Sequence, residues 1–313
     1  MFAEGQVIVP AELAASHQKY SGESGRAWIA ALPALAAVCI DRWQLEVDGD
    51  TAFGAVALIV PVVRRDGSKA VLKLQPVDDE TAGEPAALRL WTGRGAVRLL
   101  EHDSDSGAML LERLDASRDL TTMADDQAAA QIIAELLVQL NAVPAPADLR
   151  QLRDVAAATL AGTPQAIRKS GDADERRLLI NCAARLKELI TGPIENRLLH
   201  WDLHYFNVLA TLDGSQRWTA IDPKPLSGDS GFELLPALWN RWDDLVETGE
   251  VSRALLGRFD LMTEVLELDR SRAAAWTLGR VLQNAVWDLV NFNEPHILPA
   301  HRTIAEVLVD ARP

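Results

Sequence analysis

The sequence has only two cysteines, Cys39 and Cys182, far apart and each in an apolar stretch. That spacing excludes a disulfide framework and a CxxC metal site, and it marks both thiols as reduced core residues. Basic charge is also short: 31 Lys and Arg stand against 45 Asp and Glu, a net charge of -14. Such a surface repels the phosphates of nucleic acid. It would concentrate a cationic ligand, although an acidic surface also serves plain solubility. Long hydrophobic runs are missing. The longest, residues 27–40, is flanked by Arg26 and Asp41 and is too short to span a bilayer. The N-terminus, MFAEGQVIVPAELAA, lacks the basic-then-apolar order of a leader peptide. The expectation is a cytoplasmic protein with no membrane or nucleic-acid partner. There is no fixed-period repeat and no low-complexity tract. With 48% hydrophobic residues over 313 positions, the chain can build a core near the size at which one core divides into two.

The periodicity changes along the chain. Residues 10–40 read as helix, broken by the SGESG turn at 21–25. Trp43, Leu45 and Val47 alternate with polar residues as in a strand, residues 55–63 form a second strand, and Asp66-Gly67 turns into a third at 70–75. These predict a three-stranded antiparallel meander. A helix is expected from about Asp79, strands at 97–101 and 108–111, and helix thereafter: 125–140, a stretch at 159–169 broken by Gly162 and Pro164, 174–190, and 233–309. The expected architecture is α+β: a β-rich lobe, residues 1–113, and a mainly helical lobe, residues 114–313, with a cleft between.

The most informative segment is LLHWDLHYFNVL at 198–209. It sets His200, Asp202 and Asn207 in the order H-x-D-x-x-x-x-N between short apolar flanks. Phosphoryl transfer needs a carboxylate beside the attacking hydroxyl and hard oxygen ligands for Mg²⁺, and an Asp and an Asn five positions apart serve those two tasks. A further carboxylate, Asp222, follows an apolar run and leaves it through Pro223 and Pro225.

These segments resemble the aminoglycoside phosphotransferase family, a branch of the protein-kinase-like fold. HWDLHYFNVLA followed by AIDPKPLSGDSGFELLPALWNRWDD is similar, more narrowly, to the streptomycin 6-phosphotransferase and hydroxyurea phosphotransferase group. The resemblance is close over residues 198–244 and looser over nearly the whole chain. It implies a two-lobed protein-kinase-like fold with Mg·ATP between the lobes. Asp202 is implied as catalytic base, with Asn207 and Asp222 as metal ligands. It further implies that Lys73 holds the α- and β-phosphates and Glu84 orients Lys73. Where the family usually has glycine between His and Asp, this chain has Trp201.

Lys73 lies amid apolar residues on the third strand, a costly position without an opposite charge, and Glu84 is 11 residues on. The alternative is a solvated strand face with Glu84 on the surface. Residues 49–54 are expected to loop over the phosphates, with the amides of Ala52 and Phe53 donating. Backbone groups near Glu112 to Leu114 are expected to meet the adenine. His200 reads as a loop brace; His204 is either a substrate contact or a loop cap. Asp229 and Glu233 precede a helix, where carboxylates satisfy free amides, and in this fold such an acid ties down the catalytic loop. Trp239, Trp242, Trp276 and Trp287 read mostly as core, with one or two left to line the substrate pocket. Asp243, Asp244, Glu247, Asp288 and Glu294 are acids on the expected acceptor side, where a cationic substrate would need partners; each taken alone reads first as part of a solvated helix face.

The functional expectation is an ATP- and Mg²⁺-dependent kinase acting on a hydroxyl of a small, cationic acceptor; by resemblance that acceptor is streptomycin, at its 6-hydroxyl. Two alternatives stay open: a kinase of an amino sugar or other hydroxylated metabolite, and a pseudokinase that binds nucleotide without turnover.

Overall fold

A computed structural model of the chain describes residues 7–310 apart from 216 and 293. The first six residues of the N-terminus read above as lacking a leader lie outside the described residues. The chain divides into two compact units. One is Met1–Asp115 with Thr211–Arg217; the other is Ala116–Ala210 with Trp218–Pro313.

The first unit opens with a 33-residue helix, α1 (Ala11–Trp43). The SGESG segment bends this helix instead of ending it: Gly22 takes φ 57 and ψ -124, a conformation cheap only for glycine. By length and composition α1 is long enough to cross a bilayer. Its Leu13, Leu32, Ala36 and Cys39 are buried in one core with Leu58, Val60, Leu72, Leu74 and Leu110 of the sheet. Because α1 persists to Trp43, the first expected strand shrinks to β1 (Glu46–Val47).

Next come β2 (Ala52–Phe53), β3 (Leu58–Val63) and β4 (Lys69–Leu74). Residues 49–54 are therefore not all loop. Ala52 and Phe53 pair with Ile59 and Leu58, and the reversal falls at 54–57, where the Gly54 N–H donates to the Ala57 carbonyl at 3.0 Å. The Asp66-Gly67 turn forms as expected, with Gly67 at φ 80. Helix α2 (Glu84–Trp91) starts five residues later than the sequence suggests, because Asp78 and Thr81 hydrogen-bond residues 78–81 into turns. Strands β5 (Leu99–His102) and β6 (Met109–Glu112) then extend the meander into a six-stranded sheet, order β1-β3-β4-β6-β5, with β2 on β3. Lys73 on β4 pairs with both Ile59 and Met109, so its strand is central.

β7 (Leu114–Asp119) leads to α3 (Asp126–Asn141), capped by the Asp125 carboxylate on the Ala128 amide, and then to α4 (Leu152–Lys169) and α5 (Ala173–Thr191). Helix α4 runs straight through Gly162 and Pro164, against the expected break. A proline inside a helix costs about 3 kcal/mol. Burial of Leu152, Val155, Ala156, Thr159 and Ala166 offsets it. Gly162 serves close packing here: a Cβ at this position would lie 2.8 Å from Val286. Four short strands follow: β8 (Arg197–Leu199), β9 (Val208–Thr211), β10 (Trp218–Ala220) and β11 (Leu226–Gly228). The chain closes with α6 (Leu234–Leu238), α7 (Trp242–Glu247), α8 (Val251–Val265), α9 (Arg270–Val286), a π-helical turn at Trp287–Phe292, and α10 (Pro299–Asp310).

Candidate active site

Strand pairing decides where the polar loop goes. β8 pairs with β11, Leu199 opposite Leu226, while β9 pairs with β10, Val208 opposite Ala220. The connections 200–207 and 221–225 therefore both cross between the same two ladders and must run side by side. Three hydrogen bonds sew them together. The Ile221 N–H donates to the Asn207 carbonyl at 2.9 Å, and the Lys224 N–H to the His200 carbonyl at 3.0 Å. The His200 Nε2–H donates to the Ile221 carbonyl at 3.0 Å.

That stitching puts His200, Asp202, His204, Asn207 and Asp222 in one neighbourhood. Both carboxylates, Asp202 and Asp222, act electrostatically on the rings of His200 and His204. His200 is fully buried, and desolvation pushes its pKa down to about 4. With Nε2 donating, its neutral Nδ1 accepts the Asp202 N–H at 3.3 Å. It braces the loop through two backbone groups and stays neutral near pH 7. His204 is also held below the usual histidine range by burial, and its buried Nδ1 has no hydrogen-bond partner among the described residues.

Asp202 keeps its carboxylate partly exposed, 3.2 Å from the Lys224 ammonium. Burial works against its ionisation. Lys224 first, then His204 and Arg280, outweigh that effect and hold its pKa below the ordinary value. The Asn207 amide donates Nδ2–H to the Asp202 carbonyl at 2.9 Å, so its Oδ1 is the oxygen this side chain could offer a cation. An amide oxygen and the Asp222 carboxylate are hard donors that suit Mg²⁺. Among the described residues no group of three or more His, Cys, Asp or Glu side chains could hold a metal by itself. Two protein ligands, the rest supplied by phosphates and water, is the usual Mg²⁺ arrangement, so the residues fit that ion.

The backbone here is strained. Asp222 has φ 56 and Trp201 φ 68, left-handed values that cost a non-glycine residue roughly 1–2 kcal/mol. Behind the turn stands Glu233, which lies not at a helix amide but under the loop. Its carboxylate accepts the His200 N–H at 2.6 Å and the Trp201 N–H at 2.8 Å. Complete burial pushes its pKa up to about 7; the two amides and Arg280 pull the other way. Trp201 itself is buried, with the Arg150 and Arg280 guanidiniums over its ring, each 4.6 Å from the centroid. Cation–π contacts contribute about 0.5–2 kcal/mol each, the upper value where the cation is buried as Arg280 is, so the pair is comparable with the cost of the turn.

Asp229 does cap: its Oδ1 accepts the Gly231 N–H at 3.1 Å, and its Oδ2 pairs with Arg272. A second brace escaped the sequence reading. Tyr205 donates its N–H to Asn240 Oδ1 at 3.1 Å and its hydroxyl to Asp126 Oδ1 at 3.1 Å. Arg258 grips Asp126 with both ends of its fork and donates to the Leu238 and Asn240 carbonyls. No local signal joins Asp126, Asn240 and Arg258, which lie up to 132 positions apart. Lys224 does carry a local signal, since it sits two residues from Asp222.

In the first unit the structure brings Lys73 and Glu84 together. The ammonium donates to both carboxylate oxygens at 2.7 and 2.9 Å, and both residues are 1% exposed. Gln75, which the sequence reading passed over, donates to the same carboxylate at 2.6 Å. Ala52 and Phe53 lie exposed on β2. The Glu112 N–H is already committed to the Arg98 carbonyl, and Leu114 opens β7, buried. Of the tryptophans, Trp276 is fully buried, whereas Trp239 and Trp287 are exposed and so are not core. Asp243, Asp244, Glu247 and Glu294 are exposed, and Asp288 is half-buried.

Comparison with known proteins identifies the family and the fold. The family model for aminoglycoside/hydroxyurea antibiotic resistance kinases matches residues 42–291. A streptomycin 6-kinase of Streptomyces glaucescens is 52% identical over 302 residues, 96% of this chain and 97% of that protein. A hydroxyurea phosphotransferase of Kitasatospora aureofaciens is 50% identical over 305 residues, 97% of this chain and 86% of that protein. Among solved structures, a thermostable mutant of aminoglycoside phosphotransferase APH(4)-Ia, in a ternary complex with ADP and hygromycin B, is similar in fold. Its TM-score is 0.61 at 14% identity, covering 87% of this chain and 97% of that one.

Proposed function

Since the chain belongs to the aminoglycoside/hydroxyurea antibiotic resistance kinase family and has its protein-kinase-like fold, we propose that it transfers the γ-phosphate of ATP to the 6-hydroxyl of streptomycin, in the cytoplasm. The observation that carries the reading is the pair of adjacent crossings, 200–207 and 221–225, which sets Asp202 beside Asn207 and Asp222. Residues 1–113 supply the nucleotide-binding groups and residues 114–313 the catalytic loop and acceptor side.

Asp202 accepts a hydrogen bond from the acceptor hydroxyl and aims its oxygen at the γ-phosphorus. The Lys224 ammonium keeps Asp202 ionised, which makes it a weak base. A weak base suffices where the transition state is loose, because the proton leaves late. Asn207 and Asp222 would hold Mg²⁺, which when bound neutralises charge on the phosphates. Lys73, fixed by Glu84 and Gln75, takes the α- and β-phosphates. Amides around Ala52 and Phe53 donate to phosphate oxygens, and main-chain groups near Glu112 and Leu114 meet the adenine. His204, with its unpartnered Nδ1, contacts the acceptor. The net charge of -14 favours a substrate that carries guanidinium groups.

A second reading, hydroxyurea as acceptor, rests on the 50% identity to the hydroxyurea enzyme. The two readings separate in a coupled ADP-release assay with streptomycin, hydroxyurea and glucosamine. Streptomycin is expected to turn over best; hydroxyurea turnover without streptomycin turnover would favour the second reading, and glucosamine turnover without streptomycin turnover would overturn both. Asp202→Ala should lose about 10²–10⁴ in kcat with ATP binding kept. Unchanged turnover in that variant would remove Asp202 as the base.

A further inference from the structure

On the reading that residues 200–207 are the catalytic loop, we propose that Trp201 is a positioning residue. Its ring, covered by Arg150 and Arg280, holds the peptide between His200 and Asp202 in the left-handed turn that presents the Asp202 carboxylate. The turn alone does not call for tryptophan. At φ 68 glycine would sit without strain, so the side chain must contribute what the backbone does not.

The ring is held by its faces. Its Nε1–H is buried and has no acceptor among the described residues. The two guanidiniums lie over it at 4.6 Å. They come from separate anchors. Arg150 precedes α4, and its carbonyl accepts the Ser227 N–H at 2.8 Å, which ties it to β11, the partner of β8. Arg280 lies in the middle of α9, donates to Gln283 at 3.0 Å and also covers Phe232. Swinging Asp202 away would pull the ring from both anchors and the Trp201 N–H from Glu233. The Arg280 charge, besides, favours the ionised forms of both Asp202 and Glu233.

The test compares Trp201→Gly, Trp201→Phe and Arg150→Gln in the full-length enzyme, with kinetics and with hydrogen exchange of the peptide spanning 198–207. Trp201→Gly relieves the backbone but removes the ring. It should lower kcat by about 10²-fold, the usual cost of a small misplacement of a reacting group, with KM for ATP within about twofold. Exchange at residues 200–202 should quicken at least about tenfold, a loss of local protection. Trp201→Phe keeps a ring face and drops only the unsatisfied N–H, so it should recover most of what Trp201→Gly loses. Arg150→Gln should fall between the two. Wild-type kcat and protection in Trp201→Gly would overturn the proposal. So would equal impairment in the glycine and phenylalanine variants, which would make the residue ordinary core. If the wild-type protein turns over none of the acceptors, the functional reading fails, and the exchange data still decide this one.

Discussion

The two charged centres of this protein are secured by opposite means. Lys73 and Glu84 stand on regular elements, β4 and α2, and each holds the other directly across 2.7 and 2.9 Å. Asp202 stands on a loop with positive φ beside it, and the loop is held through its backbone. Glu233 takes two amides, His200 ties a carbonyl and an amide, and Asn207 takes the carbonyl of Asp202 itself. The first centre is a cancellation of charge between two buried side chains. The second is a chain path traced by buried acceptors and donors, with the reactive carboxylate left partly open. The first should therefore fail by stranding a charge, and the second by losing its shape.

The largest effect is expected at the first centre. Lys73→Ala takes the opposite charge from the buried Glu84 carboxylate, and about 3–5 kcal/mol of stability should go with it, read by calorimetry. Replacing both residues, as Lys73→Met with Glu84→Leu, should return most of that stability and no activity. A double variant as unstable as the single one would break the contrast.

At the second centre, pH offers a probe. Native His200 takes a proton only near pH 4, whereas an unfolded histidine does so near 6.5. Between those values the unfolded state holds more protons, so stability falls as pH drops from 6.5 towards 4, by roughly 3 kcal/mol at most. His301, also pushed down to about 4, adds to the same slope. Glu233 runs the other way: native Glu233 keeps its proton to about 7 against 4.5 unfolded, so its burial costs stability as pH rises through that window. Thermal unfolding of His200→Asn between pH 7 and pH 5 should be less acid-sensitive than wild type by about one proton. An unchanged slope would show that His200 is not buried neutral.

Glu233→Gln should cost about 1–3 kcal/mol, because an amide oxygen replaces one of the two acceptors and one loop N–H goes unmet. Its kcat should fall further than its melting temperature suggests. Asp229→Ala marks the lower bound, about 1 kcal/mol for a lost cap with KM values unaltered, since Asp229 serves the turn before α6 and not the loop. Equal kinetic damage from both acids would mean that the loop is not specially read by Glu233.

The same contrast explains what could be read in advance. A lysine in an apolar strand, with a glutamate one helix on, carries its own electrostatic argument, and that pair formed. The order H-x-D-x-x-x-x-N with Asp222 downstream named the polar residues and the His200 brace, but not the brace built from Asp126, Asn240 and Arg258. Position alone made Glu233 a helix cap, because a carboxylate before a helix ordinarily is one; it was the resemblance that implied an acid tying down the catalytic loop, and Glu233 is that acid. Its true partners are 32 and 33 positions away. Residues 49–54 looked like a loop because Gly49-Asp50 suits a turn; pairing with β3 claimed Ala52 and Phe53 instead. Pro164 and Gly162 suggested a break, yet packing of α4 overrode propensity.

Local chemistry, then, was the sequence's to determine: alternation set the strands, apolar stripes set the helices, and residue type set which groups could bear charge or bind an oxygen-loving cation. Only the tertiary structure decided that β8 pairs with β11 and β9 with β10. That pairing lays two polar connections side by side and brings Glu233 and Arg280 beneath them. The reason is physical. A buried amide or guanidinium accepts any partner of the right chemistry, so its choice depends on which partner the packed core carries within reach.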